Sequence, residues 1–160
     1  GYEGIYGDGC FNNCTKLKTV SLPSTLTSIG SDFFMSCTSL VEIDIPTSVV
    51  YISSKAFYAT GLKSVTIHEG VADIEREAFS CCDYLEEINY KAISCNSILL
   101  EPGYVFADSG YLGDGITLNI AKSVTVIPQY IFSMSNIVEV VFEQNSQCRD
   151  IAYGAFVGCS

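Results

Sequence analysis

Positive charge is scarce in this sequence. The 160 residues include 8 lysines and arginines against 18 aspartates and glutamates, a formal net charge of −10. Nucleic acids are gripped by basic side chains that neutralise phosphates, so this balance excludes them as partners, and anionic membrane surfaces with them. The acidity itself reads as solubility. Histidine is scarcer still. His68 is the only one, and it sits at the turn His68-Glu69-Gly70. A nucleophile–base pair needs a Ser or Cys beside the imidazole and an acid to orient it. The local sequence supplies neither, so His68 reads as an exposed turn residue. There is no G-x-S-x-G, no H-E-x-x-H and no phosphate loop. The glycine-rich run Gly110–Gly115 reads as a turn, with Gly and Asp where positive φ is needed. No apolar run reaches the ~18–20 residues of a spanning helix, so no membrane insertion is expected. A signal peptide is not visible. No stretch has the period of a long amphipathic helix. The composition points to no enzyme, no cofactor and no metal.

What is present is a repeat. Ile29, Ile52, Ile74, Ile127 and Ile151 are each followed five residues later by Phe34, Phe57, Phe79, Phe132 and Phe156. A degenerate copy starts at Ile5, with Phe11 at the aromatic position. The period is 22 to 24 residues, interrupted once. After each Phe come Leu17, Leu40, Leu62, Leu85 and Ile137, then Val20, Ile43, Val65, Ile88 and Val140, then Leu22, Ile45, Ile67, Tyr90 and Phe142. This L-x-x-L-x-L pattern ends in a period of two, the mark of a half-buried strand. It predicts strands at Lys18–Leu22, Val41–Ile45, Lys63–Ile67, Glu86–Tyr90, Ile116–Ile120 and Val138–Phe142. The pairs Leu26/Ile29, Val49/Ile52, Val71/Ile74 and Val124/Ile127 predict a shorter extended segment on the opposite wall. The Ala-Phe segments form single helical turns at most. Such a chain is a mostly-β repeat solenoid. Each copy is stabilised by burying its Ile, Phe and Leu against the next.

The eight cysteines follow the repeat in part. Cys14, Cys37, Cys82 and Cys159 all stand three residues after the Phe, which reads as a core ladder of small apolar side chains. Cys10, Cys81, Cys95 and Cys148 are off the ladder, and either stay free or pair in an oxidising compartment. No C-x-x-C pair suggests zinc. Asp73, Glu75 and Glu77 alternate around Ile74; they either offer oxygens to calcium or form a solvated face, and Arg76 among them favours the face. Asn13-Cys14-Thr15 matches a glycosylation sequon, but its cysteine is expected to be buried.

The block IGSDFFMSCTSLVEIDIPTSV, the I-x4-F-x2-C step, and Pro23 and Pro46 after the strand together resemble the BspA-like (Treponema pallidum-type) leucine-rich repeats. The resemblance covers nearly the whole chain. Thr60 and Ser135 replace the cysteine of the step, and Gly70 stands where a serine is usual. The resemblance implies a right-handed stack with one parallel strand per repeat on a concave face. It implies a secreted or cell-surface protein that acts in adhesion or protein binding. Residues 1–160 are expected to form a single repeat domain of about six copies, with an insertion near 91–115. The chain starts at Gly1 and stops at Cys159–Ser160 in mid-repeat, which reads as a piece of a longer array.

The predicted binding surface is the concave strand face. Its outward residues are Thr19 and Ser21, Glu42 and Asp44, Ser64 and Thr66, Glu87 and Asn89, Thr117 and Asn119, then Glu139 and Val141. Hydroxyls and carboxylates in rows suit a basic protein segment or glycan hydroxyls, and they are equally the polar half of any strand alternation. The insertion, with Ile98, Leu99, Leu100, Tyr104 and Tyr111, is the second candidate surface. Its excursion is expected at Ala92–Pro102, with Val105–Phe106 rejoining the stack. The expected partner is an extracellular protein or glycan, bound by a monomer.

Overall fold

A computed structural model describes residues 8–95 and 104–159. Among the described residues nine strands occur in chain order: β1 (Ser28–Ile29), β2 (Tyr51–Ile52), β3 (Ser64–Ile67), β4 (Asp73–Ile74), β5 (Glu87–Tyr90), β6 (Ile116–Ile120), β7 (Val126–Ile127), β8 (Ile137–Phe142) and β9 (Asp150–Ile151). They form three parallel sheets: β3-β5-β6-β8 on one wall, and β1-β2-β4 and β7-β9 from the short segments. There is no helix among the described residues. The chain is therefore the expected mostly-β solenoid, and the short extended segments lie where the Leu/Val-x-x-Ile pairs placed them.

The Phe of every copy builds one column. Phe11 stacks on Phe34 at 5.3 Å, Phe34 on Phe57 at 5.4 Å, Phe57 on Phe79 at 4.9 Å, and Phe79 on Phe106 at 5.0 Å. Phe106 meets Phe132, and Phe132 meets Phe156, both at 5.6 Å. Interplanar angles are between 5° and 29° along the column. Phe34, Phe57, Phe79, Phe106 and Phe132 are fully buried. Val105–Phe106 does rejoin the stack after the insertion. Tyr90 takes a core position and sets its ring edge-on to Phe132 at 5.4 Å. Its hydroxyl is buried, with the Cys95 thiol as its neighbour.

The turns around each Phe form a third side of the coil, knitted by backbone bonds. Asp32, Phe34 and Ser36 donate to Ser54, Ala56 and Tyr58 of the next copy. Lys55, Phe57 and Ala59 donate in turn to Arg76, Ala78 and Ser80. This geometry requires left-handed backbone two residues before and two residues after each Phe. Asp32, Lys55, Glu77, Tyr104 and Tyr130 hold the first position, and Asn13, Ser36, Ala59, Cys81, Asp108 and Met134 the second, all with φ between +42° and +60°. Each non-glycine residue there carries about 1–2 kcal/mol of strain. The inter-copy hydrogen bonds and the buried Phe between them offset it.

Two of the six predicted strands do not form. Residues 18–22 and 41–45 run alongside the stack without a ladder. In the main sheet, the residue after each strand donates to the preceding copy: Lys91 to Ile67, Ala121 to Tyr90 and Glu143 to Ile120, at 2.9–3.0 Å. Pro46 occupies that donor position in the second copy and has no N–H to give. The strand pattern is right there, but the rung cannot close. Beside this segment, Gly61 of the third copy donates to the Cys37 carbonyl at 3.4 Å and Lys63 to the Val41 carbonyl at 3.0 Å. Strand β8 departs in another way. It pairs with β6 alone, around a bulge at Val138, and its inward positions Val140 and Phe142 are 38% and 39% exposed. The half-buried alternation expected there fails because no further strand packs against it among the described residues.

The cysteine column also needs correction. Cys37 and Cys82 are fully buried, but Cys159 is half-buried and Cys14 is exposed in the first described turn, where the sequon also lies. Nor is the column merely apolar. The Cys37 thiol donates to the Phe11 carbonyl at 3.1 Å, Cys82 to Phe57 at 3.2 Å and Cys159 to Phe132 at 3.2 Å. Ser109 continues the series, donating to Phe79 at 2.7 Å. Thr60 and Ser135 are buried as well, but bond differently: the Thr60 hydroxyl shares a hydrogen bond with the Cys82 thiol at 3.2 Å, and Ser135 donates to the Phe132 carbonyl of its own copy at 2.6 Å. All eight cysteines are free thiols.

Candidate functional site

Alternation along β3, β5, β6 and β8 sends every second side chain out of the stack, and the parallel register lines these up from strand to strand. Ser64 pairs with Glu87, Glu87 with Thr117 and Thr117 with Glu139. Beside that row, Thr66 pairs with Asn89, Asn89 with Asn119 and Asn119 with Val141. The intervening Val65, Ile88 and Leu118, and Ile67, Tyr90 and Ile120, are buried. Two polar rows, each climbing one strand roughly every 4.8 Å, therefore share one face. Ser64, Glu87 and Glu139 are exposed; Thr66, Asn89, Thr117 and Asn119 are half-buried.

The rows are partly cross-linked. The Asn119 amide donates to Glu87 Oε1 at 2.9 Å and to Asn89 Oδ1 at 3.2 Å. This holds three side chains in fixed orientation across β5 and β6. It leaves carboxylate and carbonyl lone pairs directed outward as acceptors, because each oxygen can take more than one donor. Glu86, one residue before Glu87, pairs with Lys63 at 3.5 Å at the edge of the same sheet.

Thr19, Ser21, Glu42 and Asp44 are exposed, as expected, but stand on the two segments that form no ladder. Ser21 and Asp44 instead line a cleft of about 330 Å³ with Val20, Leu22, Ile45 and Pro46, where the missing rung would be. The sheet thus brings together Ser64, Thr66, Glu87, Asn89, Thr117, Asn119 and Glu139, and leaves the first four apart from them. Val141 caps the second row as an apolar residue, 40% exposed.

The acids around Ile74 are used within the stack. Glu75 Oε2 accepts the Ser54 N–H at 2.7 Å, and Glu77 pairs with Lys55 at 3.3 Å. Burial, with Glu75 nearby, raises the Asp73 carboxyl above its usual range. No group of three His, Cys, Asp or Glu among the described residues could hold a metal ion. His68 is half-buried rather than exposed, and its carbonyl accepts the Val71 N–H. Of the insertion, Ala92 and Cys95 are buried and Ile93 is exposed. Ile98, Leu99, Leu100 and Pro102 lie outside the described residues. Gly110 and Gly115 have φ of +81° and +93°, which bears out the turn reading, whereas Asp114 is not among the residues with positive φ.

Tyr58, Glu77, Ser80, Cys81, Tyr104 and Asp108 are among the residues that line a cavity of about 250 Å³ on the turn side of the stack. The signal was present: the residue after the Phe is Tyr58 in one copy and then Ser80, Ala107 and Ser133. Without the register, a run of small residues at that position does not announce a notch.

Comparison with known proteins agrees with this architecture. The family model described as BspA type Leucine rich repeat region (6 copies) matches residues 5–113 and 104–160. A leucine rich cell surface protein from Faecalibacterium prausnitzii superposes with a TM-score of 0.55 at 22% identity, over 94% of this chain and 54% of that one. A leucine-rich repeat protein from Bacteroides ovatus superposes with a TM-score of 0.56 at 19% identity, over 92% and 52% respectively. The chain spans about half the length of each of these structures. No curated protein sequence is significantly similar to it. At these identities the structures speak for the fold, and the family model, matching nearly the entire sequence, speaks for the lineage: the chain belongs to the BspA-type leucine-rich-repeat family, a non-catalytic repeat family.

Proposed function

We propose that the chain is a non-enzymatic recognition module of a secreted or cell-surface protein. It binds an extracellular protein or glycan through the outer face of the β3-β5-β6-β8 sheet. The observation that carries this reading is the pair of in-register polar rows, Ser64–Glu87–Thr117–Glu139 and Thr66–Asn89–Asn119. The Glu87–Asn119–Asn89 bridge supports it, because side chains already ordered lose less entropy on binding. A face of carboxylate and amide oxygens meets hydroxyl and ammonium donors with equal ease, so glycans and basic protein segments both suit it. The similar Faecalibacterium prausnitzii structure is that of a cell surface protein, which supports the location. Residues 1–160 act on this reading as one repeat domain and as a monomer, which light scattering checks.

The test is an array of glycans and extracellular proteins probed with the purified chain beside Glu87→Lys/Glu139→Lys. A ligand retained by the parent and lost by the variant is the expected result. Ligands bound equally by both would remove the sheet face from consideration. The second reading is a spacer that presents another domain; the unbroken Phe column favours it, as a continuous core makes a stiff rod. An array with no ligand at all would support that reading over the first.

A further inference from the structure

We propose that the notch between Tyr58 and Tyr104, on the turn side of the stack, receives a lysine or arginine side chain of a partner protein. The site is independent of the sheet face. Its shape follows from the repeat. At the position after the Phe, half-buried Tyr58 is followed by Ser80 and Ala107 in the next two copies, both small and buried. A large side chain beside two small ones leaves a depression about two rungs long, with Tyr58 as one wall. Tyr104 and Met134 supply the others.

The notch is built on rigid backbone. The Ser80 hydroxyl donates to the Tyr104 carbonyl at 2.7 Å, and the Cys81 N–H donates to the Ala107 carbonyl at 2.9 Å. The Asp108 N–H donates to the Met134 carbonyl at 2.9 Å. Glu77, Cys81, Tyr104, Asp108 and Met134 all occupy the left-handed turn positions, which fixes where their side chains leave the chain.

Its chemistry is that of a cation receptor. Aromatic ring faces attract ammonium and guanidinium groups, and a carboxylate nearby adds direct charge pairing. The lining has two tyrosine rings, a thioether and two carboxylates, Glu77 and Asp108, and no lysine or arginine. The chain itself demonstrates the preference at one rim. Lys55 places its ammonium 5.7 Å from the centre of the Tyr58 ring and 3.3 Å from Glu77 Oε2. One rung further, Tyr104 and Asp108 offer the same pair of groups, and no ion pair to Asp108 occurs among the described residues. The Tyr58 phenol is pushed up to about 12, first by its hydrogen bond with Cys81 and then by burial, with Glu77 and Asp108 adding the smallest part.

The probe is Nα-acetyl-L-arginine methylamide, titrated into 15N-labelled protein and followed through the backbone amides. Saturable shifts at Cys81, Ala107 and Asp108 are expected, weakening as salt screens the carboxylates. Asp108→Asn and Tyr104→Ala each weaken binding about twofold to fivefold. Asn is tolerated in left-handed backbone, so Asp108→Asn keeps the turn. Lys55→Asn, which removes the internal competitor, tightens binding by a similar factor. Lys63→Asn, which removes an equal charge beside Glu86, leaves it unchanged, as does Glu87→Lys on the sheet. Three results overturn the proposal: no saturable shift at the notch, equal shifts with the neutral citrulline analogue, or equal tightening by Lys55→Asn and Lys63→Asn. The last would reduce the effect to the net charge of the chain.

Discussion

Truncating one ring in the middle of the Phe column should remove much of the stability of the stack. Phe57 is fully buried and stacks on Phe34 at 5.4 Å and on Phe79 at 4.9 Å. Phe57→Ala removes the apolar surface of the ring and leaves a cavity that the neighbouring copies can close only in part, about 3–5 kcal/mol for a core phenylalanine. Two ring–ring contacts, each about 0.5–1.5 kcal/mol beyond area burial, place the cost in the upper half of that range. Phe156 is half-buried and, among the described residues, stacks on Phe132 alone. Phe156→Ala should therefore cost about half as much by the same reckoning. In a stack whose stability is a sum of copies and their interfaces, the central change weakens two interfaces and the peripheral one a single interface. Urea denaturation of the parent and both variants, followed by far-ultraviolet circular dichroism, measures the difference. The reasoning is refuted if Phe57→Ala unfolds at the parent's urea midpoint, or if the two variants are equally destabilised.

Glu42→Lys combined with Glu87→Lys should leave the fold intact, within about 0.5 kcal/mol per site, because both carboxylates are exposed; a collapsed dichroism spectrum would contradict the outward assignment of these residues. Ala59→Gly and Gly61→Ala, two residues apart, should move stability in opposite directions. Ala59 sits at φ +54°, so glycine relieves strain worth up to about 1 kcal/mol after its own entropy cost. A Cβ on Gly61 would stand 2.3 Å from the backbone carbonyl oxygen of Thr38, so alanine forces two copies apart and lowers the melting temperature. Burial pushes the Cys82 thiol from 9.0 up to about 11. Its folded-state value lies above the unfolded one, so its contribution is complete below pH 9 and is lost as pH rises towards 11. The urea midpoint should fall between pH 8 and pH 10.5, and fall less in Cys82→Ser; equal pH dependence in both would assign the loss to other groups.

Several features were legible because they depend only on spacing. Ile29 to Phe34, and its counterparts, report a coil of constant length, and constant length puts each Phe above the last. The alternation at Ser64–Ile67 and Glu87–Tyr90 assigns inside and outside without reference to any partner strand, so the exposed side chains of the sheet could be named from the sequence alone. Cys37 and Cys82 were legible as one column, but not as donors, since the acceptor is a carbonyl 26 or 25 residues away in the preceding copy.

Tertiary structure decided what depends on the neighbouring copy. Pro46 leaves the second rung without its donor, so residues 18–22 and 41–45 form no ladder with each other although their pattern matches that of β3. Glu87, Asn89 and Asn119 became a connected group only when the register set them side by side across the insertion. The turn-side notch exists because Ser80 and Ala107 follow Tyr58 on successive coils, 22 and 49 residues further along the chain. Sequence by itself determined the period, the buried faces and the solenoid, because these arise from the alternation and spacing of apolar side chains within one copy. The closed rungs, the polar network and the cavity were settled between copies, where hydrogen-bond donors and side-chain volumes from distant residues meet.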